Sequence, residues 1–349
     1  MKTRHSLKTL RTLSLSFSLV SLPLPPGDAA ALPASTPQLY GAALALSSGY
    51  AAAAAELAGA RAALARLQKD PLALRADSLS AASRVQVAEA RLRAAALDTR
   101  AQLSTDLLAY QSAQDAREVA RSQVEAAQLA LKGVQYRAQN GAATPLELNQ
   151  AQADLRNAQS ALSAAQANVG AAQSALLKRA GALPAPPKSW ALPNVNLAVL
   201  EAALDDYPTI ISARNDLALA QYKLRILTGD ASSAQDVQSA RETALSAQSQ
   251  LDDLSRQQRA ALLRAWSSYQ NALAGLPSKE RSLGVAQNAY KVQQGRYASG
   301  AAALLTVKKA AVDLAQAQAS LSEAQINTEA ALVAVAQAAS YDPWKAGSK

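Results

Sequence analysis

Cys and His, the side chains most used to bind zinc and to supply or activate a nucleophile, are almost absent from this chain. Its 349 residues include no Cys and a single His, His5, which lies near the N-terminus. Zinc sites and activated nucleophiles depend mainly on Cys and His, and the Asp and Glu residues are scattered rather than paired. We therefore predict that the protein is not an enzyme and has no catalytic residue, cofactor or metal site.

Two glycine turns instead gather polar residues at a recurring spacing. Asn140-Gly141 can end a helix in the left-handed conformation, and Thr144-Pro145 with Glu147 forms the pattern of a capping box. The second turn has alanines in place of that cap, so we expect it to be looser. These residue types support hydrogen bonding and ion pairing, either as caps and solvated charges or with a partner. The residues of interest in the two turns are Arg137, Asn140, Gly141, Glu147, Arg296, Tyr297, Gly300 and Thr306.

The two turns belong to a repeated segment. Residues 128–181 and 287–340 align without a gap at a constant offset of 159, which matches Gly141 with Gly300. An internal duplication of this kind indicates one structural unit used twice. In each copy we predict a first helix, a reversal, a very long helix, the glycine turn and a third helix. The predicted helices are 40–68, 72–140 and 146–181, then 198–227, 231–298 and 304–340, with reversals at Lys69–Pro71 and Thr228–Asp230 and a kink or short break at Gly275 and Pro277.

The third helix of each copy carries a heptad pattern that predicts coiled-coil packing. Large and small residues alternate there at steps of three and four over about four heptads. Aromatic residues make up only 4% of the chain, which favours thin, closely paired helices over a thick core. We therefore predict an all-α fold of two tandem repeats of long antiparallel coiled-coil hairpins. The seam positions are Leu148, Ala151, Leu155, Ala158, Leu162, Ala165, Val169, Ala172 and Leu176, and Val307, Ala310, Leu314, Ala317, Leu321, Ala324, Thr328, Ala331 and Val335.

The N-terminus is typical of a secretory signal peptide. Basic residues precede an apolar run from Leu13 to Leu24, and the small residues Ala29–Ala31 follow. The run is shorter than the roughly 20 residues that span a bilayer as a helix, so we predict export to the cell envelope. The net charge is +9, and removal of residues 1–31, which contain four basic residues and one acidic residue, leaves +6 spread along the helices. We therefore expect a solvated helix face and no nucleic-acid partner.

The predicted layout has a proline-rich segment between the two repeats. Because proline disfavours helix, we expect this segment to be an extended crossover. The parts are a signal peptide at 1–31, a first helical hairpin repeat at 32–181, a crossover linker at 182–197, a second helical hairpin repeat at 198–341 and a C-terminal tail at 342–349.

The turn segments resemble those of a known family. GRYASGAAALLTVKKAAVDLAQAQASLSEAQ, residues 295–325, is similar to the end of the periplasmic hairpin in TolC-type outer-membrane efflux proteins. Arg296-Tyr297 and Gly300 fit the family pattern of an Arg-aromatic pair followed by Gly, and Arg137, Asn140-Gly141 and Glu147 fit its counterpart in the first copy. Residues 203–224 resemble the helix that opens after the family's crossover. The resemblance covers nearly the whole mature chain.

The resemblance implies a homotrimer whose hairpins form a hollow α-helical barrel across the periplasm. The turns at 137–147 and 296–306 would form its distal tip, which in the family meets a periplasmic adaptor that works with an inner-membrane pump. By the match, Arg137 and Arg296 would belong to the polar links that hold the tip closed. Glu147 would face the lumen, and Thr306 would occupy the equivalent place in the second copy.

The chain departs from the family between the first and long helices of each half. Family members have a β-hairpin there, whereas this chain has only the short reversals, so we predict a TolC-like α-barrel protomer lacking clear β-strands. Whether this chain associates with a membrane therefore stays open. The resemblance implies an outer-membrane or periplasmic efflux or export channel component that acts as a conduit. The alternative is a non-transporting periplasmic coiled-coil spacer or scaffold of the cell envelope.

Overall fold

The computed structural model describes residues 36–183, 192–228 and 232–346. Every regular element in these ranges is helical. The predicted signal peptide, half of the predicted linker, part of the reversal at Thr228–Asp230 and the end of the tail lie outside them. The helices are α1 (Thr36–Leu46), α2 (Ser48–Lys69), α3 (Arg75–Gln139), α4 (Pro145–Ala180), α5 (Leu197–Ala203), α6 (Pro208–Leu227), α7 (Ala234–Ala298), α8 (Leu304–Ala339) and α9 (Pro343–Ala346), with a 3₁₀ turn at Leu204–Asp206.

The long helices have the same length and spacing in both halves. Helices α3 and α7 each contain 65 residues, and α4 and α8 each contain 36. The bounds of α7 and α8 are those of α3 and α4 displaced by 159 residues. At 1.5 Å per residue, α3 and α7 are each about 100 Å long. The two halves therefore contain hairpins built from helices of equal length.

The first helix of each half is interrupted, which corrects the prediction of continuous helices at 40–68 and 198–227. In the first half, Ser47 separates α1 from α2 and caps α2, where its hydroxyl accepts a hydrogen bond from the Tyr50 N–H at 3.2 Å. In the second half, Pro208 begins α6, and Tyr207 before it is extended with ψ of 134°. A residue before proline disfavours the helical region, so the helix must restart there.

The prediction at Gly275 and Pro277 was a kink or a short break; the break is absent, because α7 runs through both residues. The missing N–H of Pro277 leaves the carbonyl of Leu273 without its helical donor. Both residues are exposed, so water can bond this carbonyl and the cost of the proline is reduced. The Ser278 hydroxyl also donates to the Gly275 carbonyl at 2.7 Å.

The four long helices form a layer in the order α4, α3, α8, α7. Helix α3 packs along α4 on one side and α8 on the other, while α7 packs along α8. Arg179 of α4 bonds Asp106 of α3, and the Gln258 amide of α7 donates to the Ala338 carbonyl of α8 at 2.7 Å. Neighbouring helices in the layer are antiparallel. Helix α2 packs on α3, and α6 packs on both α7 and α3.

The predicted seams are the inward faces of α4 and α8. Every seam position of α4 is buried or half-buried, whereas most other α4 side chains are exposed. Helix α8 buries a second stripe, which the heptad pattern did not predict and which includes Ala315, Ile326, Val333 and Ala336. The reason is that α8 lies between α7 and α3 and therefore has two neighbours to pack against.

Two apolar clusters join the short helices to the layer. In the first half, Leu39 and Tyr40 of α1 pack with Leu103 of α3 and Leu176 of α4. In the second half, Leu200 of α5 begins a cluster that includes Leu204, Ile210, Leu262, Leu332 and Val335. The largest buried side chains lie in these clusters, away from the glycine turns, so the long hairpins extend from a packed middle region.

Candidate functional site

The first glycine turn, residues 137–147, is closed by backbone hydrogen bonds at the end of α3. Gly141 has φ of 70°, a conformation that glycine adopts without a Cβ clash. Its N–H donates to the Ala138 carbonyl at 3.0 Å, and the Ala142 N–H donates to the Arg137 carbonyl at 2.8 Å. The Asn140 side-chain amide also donates to the Tyr136 carbonyl at 2.8 Å. This pattern satisfies the last carbonyls of the helix and fixes the reversal.

The start of α4 contains the predicted capping box. The Glu147 N–H donates to the Thr144 hydroxyl at 3.2 Å, and the Thr144 N–H donates to Oε2 of Glu147 at 2.7 Å. Oε1 of the same carboxylate lies 3.6 Å from Nη1 of Arg137. The hydrogen bonds from Thr144 and the nearby Arg137 charge lower the pKa of Glu147. The turn therefore brings Arg137 and Glu147 together across the two helices.

The second glycine turn, residues 296–306, has the same backbone and fewer side-chain bonds. Gly300 has φ of 74°, and the Ala301 N–H donates to the Arg296 carbonyl at 2.7 Å. Ala303 is the N-cap of α8 and offers no side-chain cap bond. Thr306 takes the place of Glu147, so the neutral side chain forms no ion pair with Arg296. The prediction that this turn lacks a side-chain cap is confirmed.

The two turns lie at the same end of the helical layer. Nζ of Lys308 in α8 is 2.6 Å from Oε2 of Glu125 in α3. Lys308 is one turn after the start of α8, and Glu125 is about four turns before the end of α3. Both hairpins therefore project beyond this ion pair in the same direction. Within the ranges that the structure describes, no hydrogen bond joins one turn directly to the other.

Among the described residues, the contact between Lys308 and Glu125 is the polar link between the two hairpins that lies nearest the turns. The sequence analysis did not predict it. The hydrogen bond from Lys308 and its charge hold the pKa of Glu125 below its usual range. The two residues are 183 positions apart, and only the packing of α8 on α3 shows that they meet. The adjacent lysines Lys308 and Lys309, inside the mainly apolar stretch 304–312, were the available signal.

The large side chains of the turns are exposed. Leu146 is 77% exposed, Tyr136 is 70% exposed and Tyr297 is 47% exposed. These residues, together with Arg137 and Arg296, form a surface of mixed apolar and basic character at the end of the hairpins. The arrangement is suited to contact with another macromolecule, and it offers no pocket with paired titratable groups.

Comparisons with known proteins place this geometry in a structural class. No family model matches the sequence, and no curated protein matches it. Solved structures do match. The outer-membrane channel OprN aligns with a TM-score of 0.64 at 17% identity, over 88% of this chain and 90% of that one. The outer membrane protein VceC from Vibrio cholerae aligns with a TM-score of 0.60 at 16% identity, over 87% of this chain and 96% of that one. The outer membrane channel CmeC from Campylobacter jejuni aligns with a TM-score of 0.59 at 14% identity, over 88% of this chain and 88% of that one.

The chain has a TolC-type fold. The resemblance found in the turn segments is therefore confirmed at the level of fold, and so is the all-α hairpin architecture. Within this TolC-type chain, the described helices include none of the length and apolarity required to cross a membrane. The described residues also include no cluster of three metal-ligating side chains. The matched structures are described as channels or outer-membrane proteins rather than as enzymes.

Proposed function

We propose that this chain is the subunit of a TolC-like efflux or export conduit in the outer membrane or periplasm. The observation that carries the proposal is the open helical layer. The four long helices lie side by side, and their layer ends on one side in α4 and on the other in α7. Copies joined edge to edge by such a heterologous contact close into a ring when the rotation between them permits.

The two edges differ in a way that favours contact between copies. Helix α4 exposes the small residues Ala161, Ala164 and Ala171 on the side away from α3. Helix α7 exposes Val285 and Val292, whose exposed fractions are 71% and 56%. Large side chains on one edge can pack against small ones on the other, as they do in coiled-coil seams. We propose that three copies form a tube about 100 Å long.

The candidate contact residues of the turns complete the proposal. The end of the tube formed by 137–147 and 296–306 would meet a periplasmic adaptor that works with an inner-membrane pump. Arg137 is held by Glu147 within one chain, whereas Arg296 has no matching carboxylate in its own turn. We propose that Arg296 is the arginine available to a carboxylate of a neighbouring copy or of the adaptor, and that the cell envelope is the place of function.

A cysteine cross-link tests the ring. Because the chain has no Cys, the double variant Ala164→Cys/Val285→Cys adds one thiol to each edge. These two positions lie at about the same height along the layer. Their heights follow from one contact between each pair of neighbouring helices: Arg179–Asp106 for α4 and α3, Glu125–Lys308 for α3 and α8, and Ala338–Gln258 for α8 and α7. Mild oxidation should produce covalent dimers and trimers, and electron microscopy should show a tube.

The matched control is Ala164→Cys/Leu245→Cys. Leu245 is 64% exposed on the same helix, but it is about 60 Å from Val285 along α7, so this variant should not cross-link. A protein that remains monomeric at micromolar concentration, or that cross-links equally in both variants, would contradict the ring. Unchanged accumulation of an exported dye in a deletion strain would contradict the conduit and favour a spacer.

A further inference from the structure

The end of the layer opposite the glycine turns is formed by residues 66–79 and 222–228, which we call the basal end. The two segments meet there, since the guanidinium carbons of Arg75 and Arg225 lie 5.8 Å and 5.6 Å from the centroid of the Tyr222 ring. Arg75 begins α3, and Arg225 is in the last turn of α6. One ring thus gathers two positive charges from the two halves of the chain.

Large aliphatic side chains at the basal end are exposed to an unusual degree. Leu72 is 86% exposed, Leu74 is 67% exposed and Ile226 is 58% exposed. Leu72 and Leu74 are in the short connection after α2, which the Asp70 carboxylate shapes by accepting a hydrogen bond from the Leu72 N–H at 2.9 Å. Exposed apolar residues that are gathered at one end and rimmed by polar groups mark an interaction surface.

The charge around these leucines is mainly positive. Residues 66–79 and 222–228 contain five basic side chains against the two carboxylates of Asp70 and Asp77, and the adjacent start of α7 adds the carboxylate of Asp236. The ion pairs that the described residues form use other arginines and lysines. The basic residues are Arg66, Lys69, Arg75, Lys223 and Arg225, and all five are exposed.

We propose that the basal end docks on an anionic phospholipid surface. Leucine side chains on a short connection can enter the boundary between headgroups and acyl chains, while the surrounding basic residues attract the negative surface. Two guanidinium groups on one tyrosine offer a phosphate oxygen a cluster of donors. The proposal goes beyond the conduit and does not require a ring, since a single chain carries the whole surface.

Vesicle flotation of the purified full chain tests the proposal. With vesicles that contain about one-third phosphatidylglycerol, the protein should float, and it should float less at 0.5 M salt because salt screens surface charge. Leu72→Ser/Leu74→Ser should weaken binding by at least about tenfold, since each buried leucine contributes substantially to insertion. Arg75→Gln/Arg225→Gln should weaken binding roughly 30-fold, from the typical effect of two basic residues near an anionic surface.

The matched control is Leu146→Ser at the opposite end. Leu146 is 77% exposed, so this variant changes the same chemistry away from the basal end and should float like the wild type. Circular dichroism should show full helicity in every variant because the changed side chains are exposed. Equal flotation of Leu72→Ser/Leu74→Ser and wild type would overturn the proposal.

Two other outcomes separate this proposal from its competitors. Concentration-dependent association without vesicles that is lost in Leu72→Ser/Leu74→Ser would overturn it, since a second copy would then occupy the basal end. Undiminished binding to vesicles of phosphatidylcholine alone would also overturn the role of the basic residues. Flotation by a protein that fails the cross-linking test would support lipid docking and contradict the conduit, so the two proposals fail separately.

Discussion

Replacing Arg100 with methionine should release the C-terminal segment from the helical layer. The guanidinium of Arg100 lies 4.0 Å from the ring centroid of Tyr40 and 4.5 Å from that of Trp344. Its Nη2 is 3.7 Å from Oδ2 of Asp342, and the two side chains are only 15% and 14% exposed. Arg100 thus joins α1 and the segment after α8 to the middle of α3.

The expected destabilisation follows from these contacts. Cation–π contacts in a desolvated setting contribute about 1–2 kcal/mol each. The substitution also leaves the Asp342 carboxylate poorly solvated and without its partner, and removal of one member of a buried ion pair typically costs about 3–5 kcal/mol. Because these contributions overlap, we expect a total loss of about 3–5 kcal/mol. Arg100→Met/Asp342→Asn should be more stable than Arg100→Met alone.

Urea unfolding followed by circular dichroism measures the stability, and the emission of Trp344 reports the local release. Subtracting the spectrum of a Trp344→Phe variant isolates that emission, which should shift to the red in Arg100→Met before urea is added. The control is Arg91→Met, since Arg91 pairs with Glu56 at 2.5 Å but is 57% exposed, and such pairs contribute only about 0–1 kcal/mol. An unshifted Trp344 emission with a stability loss below about 1 kcal/mol would refute the reasoning.

Five further substitutions test the packing, the turns and a partly buried carboxyl group. Leu332→Ala removes a fully buried side chain and should lower the free energy of unfolding by about 2–5 kcal/mol in urea. Gly300→Ala should lower the free energy of unfolding by about 1–2 kcal/mol, because φ is 74° there. Hydrogen exchange of the turn amides should therefore become faster. Ala303→Ser supplies the missing side-chain cap of α8 and should slow amide hydrogen exchange in the first turn of that helix. Thr144→Ala removes the cap of α4 and should lower the free energy of unfolding by about 1 kcal/mol. Burial raises the pKa of Glu329, an effect that Ser104 and Arg100 partly oppose, so the wild type loses stability as pH rises from the unfolded-state pKa to this raised value. Glu329→Gln should therefore be more stable than wild type at pH 7, by about 1.4 kcal/mol for each unit by which the pKa is raised, and the advantage should disappear near pH 4.

The long hairpins could be predicted from sequence because their signals are local. The heptad seams of α4 and α8 depend only on the spacing of residues along one helix. The ends of α3 and α7 are marked by Gly141 and Gly300, which both have positive φ. The Thr144–Glu147 capping box involves residues three positions apart. In each case the determining interaction lies within about one or two helical turns of the chain.

The interruptions at Ser47 and Pro208 were missed for a different reason. Ser47, Ser48 and Gly49 interrupt an alanine-rich stretch, and the strong helix propensity of the alanines on both sides led to the prediction of one continuous helix. The predicted helix at 198–227 contains Pro208 in its interior, although a proline at the first helical position is a common sign that a helix begins there. The helical pattern of the sequence continues across both sites. The breaks are visible only in the structure, where the short helices α1 and α5 pack against the long helices.

The contacts between the two halves could not be predicted from one sequence. Arg100 meets Asp342, and Glu125 meets Lys308, across 183 or more residues. The sequence separation of neither pair predicts that its two residues are in contact, because the register between α3 and α8 depends on how their side chains pack together. The wide apolar surface of α8, from Ile326 to Val335, was a usable signal. A stripe wider than one seam indicates a helix with two neighbours.

The two hairpins combine local and tertiary stabilisation in opposite proportions. Helix α4 has a complete cap in Thr144 and Glu147 but packs along only one long helix. Helix α8 begins at Ala303 without a side-chain cap, yet it is packed between α3 and α7 and tied to α3 by Lys308. The first glycine turn is therefore fixed by its own residues, whereas the start of the second hairpin depends on the layer around it. A change that loosens α3 from α8 should consequently reach the second turn before the first, although the two turns have the same backbone.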